Sequence, residues 1–270
     1  MGFAVRQTLE RPASIGFLRS PLAPGPVGVF DNGNIIDVEI GRSQLSGVDD
    51  ILLLSGRNVL AVQSINSVWE VLQFGDAELI GENRWRLSRL LRAQGGTEDA
   101  MNAGFALDAR AVLINGAVED LNLTRAEAER PVNLRVGLVG RDLTDQFSTS
   151  LSITSQRRGL RPLSPVHLRA ERTDNGDIVF TWIRRTRIDG DLWEVQDVPL
   201  GEENEEYLLA ILGGGDAQLR TITTNTTNAL YEHTAQLSDF AELPNNISVS
   251  VAQVSASEGP GTALTQSFDL

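Results

Sequence analysis

Cysteine is absent from this 270-residue chain, which excludes disulfide staples and thiolate chemistry and leaves the redox compartment unmarked. Lysine is absent as well: all 23 basic residues are arginine, set against 36 acidic ones, for a formal net charge of −13. So acidic a chain has no basic face with which to displace counterions from a phosphate backbone, and direct nucleic-acid binding is not expected. The missing lysine reflects a GC-rich coding sequence rather than a physical need. Histidine occurs only as His167 and His233, both in stretches read as strand, and neither has a Glu or His at a zinc-ligand spacing such as H-E-x-x-H. No G-x-S-x-G nucleophile elbow occurs, and Gly95-Gly96 and Gly213-Gly-Gly215 lack the Lys-Ser/Thr that completes a phosphate loop. Apolar runs such as Ile51-Leu-Leu-Leu54 fall far short of the ~20 residues a membrane-crossing helix needs. Residues 1–20 carry Arg6, Glu10, Arg11 and Arg19 in place of an apolar core, so no secretory signal is expected there. No catalytic, cofactor-binding or metal-ligating set is assigned.

What the chain does contain is alternation. Its length suits two domains of roughly 100–200 residues. Residues 1–26, ending in Pro21-Leu-Ala-Pro-Gly-Pro26, read as an extended arm. Residues 27–156 read as a β-rich domain. A hairpin is expected around Asp31-Asn-Gly-Asn34, between strands Val27–Phe30 and Ile35–Ile40. Residues 41–58 read as strand and loop, followed by strands at 59–62, 67–74, 77–80, 105–108, 109–114, 132–139 and 147–154. Arg84–Leu91 fits both a helical and a strand period, and the hairpin-like flanks favour the strand. Thr97–Met101 reads as one capped helical turn, and Thr124–Arg130 as a short helix with Glu127 completing a capping box. Residues 157–162 form the linker.

Residues 163–270 carry about seven short strands, including Val166–Ala170, a Thr173–Gly176 turn, Asp177–Arg184, Glu206–Leu212, Ala217–Thr223, Leu230–Leu237, Ile247–Val254 and Thr262–Phe268. That spacing, with a Trp on the second strand and no Cys pair, predicts a fibronectin type III-like, immunoglobulin-like sandwich. The fold class expected is therefore all-β throughout. The Asp31 and Asp174 turns open like calcium loops, but position twelve is Arg42 in one and Arg185 in the other, so they read as hairpin turns.

The excursion after the Trp182 strand holds the interface candidates Arg184, Arg185, Arg187 and Trp193. Exposed Arg and Trp suit an interface hot spot or a sugar-stacking surface. On the other reading Trp193 covers a sandwich edge and the arginines pair with Glu202–Glu206.

Five stretches resemble one family: Arg11-Pro-Ala-Ser-Ile-Gly-Phe17, Trp69-Glu-Val-Leu-Gln-Phe74, Leu87-Ser-Arg-Leu-Leu-Arg-Ala-Gln-Gly-Gly-Thr-Glu98, Phe180-Thr-Trp-Ile-Arg-Arg-Thr-Arg-Ile-Asp-Gly190 and Trp193-Glu-Val-Gln-Asp-Val-Pro-Leu-Gly-Glu202. They are similar to the C-terminal portion of the large tail-tip, or host specificity ("megatron"), protein of gene transfer agents and related alphaproteobacterial siphophages. That family's upstream parts, including a TIM-barrel-like domain, have no counterpart here, so the chain is a fragment or the product of a split gene. The resemblance implies a tail-hub-like first domain and a structural, non-enzymatic role in a tail tip or baseplate, contributing to host attachment and DNA delivery. It implies a homotrimer around the tail axis, contacts with hub and distal tail proteins and with a host receptor or glycan, no cofactor, and a place at the distal end of the virion after synthesis in the host cytoplasm. The alternative is a carbohydrate-binding accessory module of a glycan-degrading or adhesive protein, resting on Trp193, Trp85 and the carboxylates.

Overall fold

The computed structural model describes residues 3–41, 43–124, 126–142, 144–155, 157–188, 190 and 197–270. They fall into two compact units, Met1–Arg158 and Gly159–Leu270.

In the first unit the strands are β1 (Ile15–Leu18), β2 (Ile36–Ile40), β3 (Val59–Gln63), β4 (Trp69–Gly81), β5 (Arg84–Gln94), β6 (Arg110–Ile114), β7 (Pro131–Val136) and β8 (Thr149–Thr154), with helices α1 (Asp50–Leu54) and α2 (Glu98–Ala103). The first six close into an antiparallel barrel in the order β1-β2-β5-β4-β3-β6, with β6 returning to β1 through Ile15↔Val112 and Phe17↔Arg110. Period-two alternation fills it: Ile36, Val38 and Ile40 of β2 point inward while Asp37 and Glu39 point out. Leu18, Leu60, Val62, Leu72, Phe74, Trp85, Leu87 and Leu90 complete the core. The long β4–β5 hairpin turns at Asn83, at φ 53°. Register shifts between Val71 and Gln73, and positive φ at Arg89 and Ala93, bend the pair as closure requires. Gly16 is where β1 and β2 come closest; a Cβ there would lie 2.0 Å from the Glu39 carbonyl oxygen. Chain entry and exit are neighbours, since the Leu113 N–H donates to the Ser14 carbonyl at 3.0 Å.

Four expectations change here. The residues read as an arm supply β1, because Gly16 lets that segment bond to both β2 and β6. No hairpin forms between 27–30 and 35–40. Val27 and Asp31 instead make single bridges to Arg92 and Leu90 of β5, because Asp31 is held by an ion pair described below. Ile51–Leu54 is a helix, not a strand: Asp49 caps it by accepting the Leu52 N–H at 2.9 Å, and only Leu53 is buried. Phe105–Asp108 forms turn rather than strand.

The second unit has β9 (Val166–Arg172), β10 (Ile178–Ile183), β11 (Tyr207–Leu212), β12 (Gln218–Thr224), β13 (Asn228–Tyr231), α3 (His233–Phe240), β14 (Asn246–Ser255), the two-residue β15 (Gly259–Pro260) and β16 (Leu264–Asp269). A three-stranded sheet, β13-β10-β9, faces β12-β11-β14, with β16 also paired to β14. Three strands on five, the two-residue β15 also pairing with β14, without a disulfide, is a fibronectin type III-like sandwich. Ile178, Phe180 and Trp182 of one sheet meet Tyr207, Leu209, Ile211, Ile247, Val249 and Val251 of the other. Trp182 and Tyr207 sit edge to face with ring centroids 5.2 Å apart.

The expected strand Leu230–Leu237 ends at Tyr231 and becomes α3, so His233 opens a helix. Gln236, fully buried, turns the chain by donating to the carbonyls of Gly176 at 2.9 Å and Tyr231 at 3.0 Å. Asp239 then clamps α3 to the sandwich, accepting from Arg220 at 2.6 and 2.9 Å and from the Tyr231 hydroxyl at 2.8 Å.

Candidate interaction surface

The arginine excursion is stitched to its own acidic segment. Arg184 donates to Asp197 at 2.6 Å, to the Val198 carbonyl at 2.9 Å and to Glu205 at 3.3 Å. Glu205 also accepts the Tyr207 hydroxyl at 3.0 Å. Burial first, then this carboxylate, pushes the Tyr207 phenol above its ordinary value. Arg187 donates to Glu202 through Nε and Nη2 at 3.2 and 3.1 Å, and Arg185 reaches the Ser164 carbonyl at 3.5 Å. Thr186 is pressed against Gly201, whose φ of +72° and 2.9 Å virtual Cβ contact with Thr186 Oγ1 demand glycine. Trp193 lies outside the described residues. The structure thus brings together Arg184 and Arg187 with Glu205 and Glu202, the pairing of the second reading. Trp85 is 5% exposed and sits in the barrel core, so it offers no face for a sugar.

A charged cluster that the sequence did not single out lies inside the first unit. Arg92 is fully buried and forks onto Glu70, also fully buried, with Nε–Oε1 at 2.8 Å and Nη2–Oε2 at 3.0 Å. Its Nη1 donates to the Ala23 carbonyl at 2.9 Å and to Asp31 Oδ2 at 3.3 Å. Glu70 takes a further bond from the Ala93 N–H at 2.9 Å. Asp31 accepts from the N–H groups of Gly33 and Asn34 and, at 2.7 Å, from the Asn34 side chain. Burial by itself pushes the Asp31 carboxyl up. The Asn34, Gly33 and Arg92 donors outweigh it and hold the group below its ordinary value. Gly25 crosses the cluster, where a Cβ would sit 2.2 Å from Asp31 Oδ2. Bidentate, hydrogen-bonded and buried, the cluster fastens residues 22–34 onto the barrel. The available signal was a Glu and an Arg set inside apolar runs, V-W-E-V-L and L-L-R-A.

Outside the barrel, Arg6 of the N-terminal segment pairs with Glu127, one of its bonds being 3.2 Å, and Glu127 accepts the N–H and hydroxyl of Thr124 at 2.9 and 2.8 Å. Half of the expected capping box is present, the Glu127 carboxylate on the Thr124 N–H; the Glu127 N–H bonds the Thr124 carbonyl instead of its hydroxyl, and turns rather than a helix follow over residues 126–129. Arg6, then the Thr124 donors, hold the Glu127 carboxyl at about 2, below its ordinary 4.5. A depressed carboxyl pKa makes its contribution complete above the ordinary value and lost as pH falls through the depressed one. The segment is expected to stay docked at neutral pH and to release between pH 4.5 and about 2. At neutral pH, Glu127→Gln is expected to raise tryptic cleavage after Arg6 by roughly tenfold, as local opening becomes easier. Identical cleavage rates for the two proteins would refute the tether.

Two surfaces are conspicuously apolar. On α1, Ile51, Leu52 and Leu54 are 78%, 44% and 62% exposed. In the β7–β8 hairpin neither strand has a buried residue. Among the described residues, no cluster of three or more His, Cys, Asp or Glu side chains is placed to hold a metal, and no helix is long and apolar enough to cross a membrane.

Comparison with known proteins adds the following. The family model described as Rcc01698-like, C-terminal, matches residues 13–112. No curated protein matches the chain. Solved structures similar to it include the rat CD45 extracellular domains d3–d4, at 12% identity, over 58% of this chain and 72% of that one, with a TM-score of 0.29. The FN1–FN3 domains of chicken CNTN1 are similar at 14% identity, over 96% of this chain and 65% of that one, with a TM-score of 0.29. A two-domain fibronectin type III segment of chicken tenascin is similar at 11% identity, over 95% and 99%, with a TM-score of 0.28.

Proposed function

We propose that this chain is a structural component of a phage or gene-transfer-agent tail tip or baseplate, contributing to host attachment and DNA delivery. On this reading it assembles as a homotrimer around the tail axis, against hub and distal tail proteins. The observation that carries the reading is that the family match over residues 13–112 falls on the six-stranded barrel, from β1 to β6. Three of the five stretches resembling the tail-tip family lie within or across that span.

The architecture suits such a part. A closed barrel has no free edges to slip or swap, and its buried ion cluster fixes a loop in one place. The sandwich is a fold used widely in structural and adhesive modules, so its presence alone names no partner. Glycan binding as the main role loses one of its two aromatic supports, since Trp85 is inside the core.

Immunogold labelling of purified particles with antibodies to this chain is expected to mark the distal end of the tail. Gold along the tail tube or over the capsid, or particles that carry none of the chain, would overturn the reading.

A further inference from the structure

The β7–β8 hairpin is built like half of an interface. Its six pairs run in register from Pro131↔Thr154 to Val136↔Thr149 without a bulge. Alternation sorts the side chains cleanly. Val132, Leu134 and Val136 share one face with Leu151 and Ile153 across the ladder, and Asn133 and Arg135 share the other with Ser150 and Ser152. Leu138, Val139 and Phe147 extend the apolar surface at the tip, at 58%, 84% and 63% exposure. The two strands pair only with each other among the described residues. A lone two-stranded ribbon is marginal in water, and this one leaves Val136 and Leu151 of its apolar face exposed and Val132, Leu134 and Ile153 only half-buried. Eight such side chains expose on the order of 500 Å² of apolar surface, beyond scattered surface hydrophobics and close to the ~800 Å² per partner of a stable complex.

The occupant follows from charge and edge chemistry. Two copies of a chain with net charge −13 repel over most of their surface. The two hairpin strands carry no carboxylate, and their one charge is Arg135; at the tip Asp145 is paired with Arg141 and Asp142 accepts from Thr144, so identical hairpins approach with little like charge between them. The devices that keep natural strand edges solitary are also missing. β8, Thr149–Thr154, has no charge, proline or bulge, whereas β9 carries Arg169, Glu171 and Arg172 and a positive-φ His167.

We propose that this face is where copies of the chain join, with neighbouring hairpins packing apolar face to apolar face. The inference deepens the assembly element of the tail-tip reading. Its test in dilute solution is blind to where on a particle the chain sits, so failure here leaves the immunogold result standing, and the converse also holds.

The test is analytical ultracentrifugation of the full chain at roughly 1–100 μM. Wild type is expected to show a concentration-dependent oligomer, and a Val136→Arg/Leu151→Arg double variant to sediment as a monomer with unchanged circular dichroism. Ile51→Arg, on α1 and more exposed than either hairpin position, is expected to keep the wild-type oligomer. Because the native chain has no cysteine, Leu151→Cys provides a second readout that needs no charged substitution. Under mild oxidation it is expected to cross-link at least about tenfold faster than Ile51→Cys, owing to its raised local concentration. A wild type that stays monomeric throughout, a double variant that stays oligomeric, dissociation by Ile51→Arg, or equal cross-linking of the two cysteines would each overturn the proposal.

Discussion

Arg92→Ala is expected to destabilise the first unit by about 3–5 kcal/mol, the typical cost of removing one partner from a buried ion pair. The substitution leaves Glu70, fully buried, with only the Ala93 N–H, and strips the Ala23 carbonyl of its donor. Asp31 keeps its Gly33 and Asn34 donors, so the damage concentrates on Glu70. For a unit of this size the loss corresponds to a melting-point decrease of about 10–15 °C, read by calorimetry and urea titration. The pair is dispensable in a way its parts are not. Arg92→Met combined with Glu70→Leu is expected to cost less than either single change, because no unpaired charge remains in the core. A single-variant loss below about 1 kcal/mol would show that water reaches the cluster.

Phe180→Ala is expected to cost the sandwich about 3–5 kcal/mol, through lost transfer energy plus the cavity left behind. Phe180 is fully buried on β10, and its ring lies 6.4 Å from that of Phe268 on β16, so it bridges the two sheets. In calorimetry the decrease is about 15–25 °C for a unit near a hundred residues. It should appear in a transition that Arg92→Ala leaves in place. If both variants shift one common transition by the same amount, the two units do not unfold separately.

The fold was legible wherever alternation alone decides. β2, β10 and β11, and the first halves of β5 and β14, show the period of two, and their inward residues are the ones buried. It was illegible where a distant group decides. Glu70 alternates like any strand residue. That it faces the core depends on Arg92, 22 positions later, and Arg92 in turn on Asp31, 61 positions earlier. Barrel closure hid for the same reason, since β1 finds its partners in β2 and β6. Ile51–Leu54 misled because four consecutive apolar residues fit a strand as well as one helical turn, and the Asp49 cap settled the matter. The α3 helix was missed because Gln236, the residue that secures it, bonds to backbone far away on the β9–β10 turn. The interface candidates were half legible. The pairing of the arginines with Glu202–Glu206 was one of the two readings and is what forms, while the bond from Arg184 to Asp197 depends on the path of the loop. The β7 and β8 strands were expected from pattern. That the ribbon they form stands uncovered could be read only from the folded chain.

The side-by-side placement of Ser14 and Leu113 has a genetic corollary. A closed body whose two ends meet at one spot can be carried as a cassette: a recombination event need only supply it at any surface turn of a host polypeptide, whose own path then resumes almost where it left off. Insertion of residues 14–113 at an exposed turn of another protein is therefore expected to leave both folds intact.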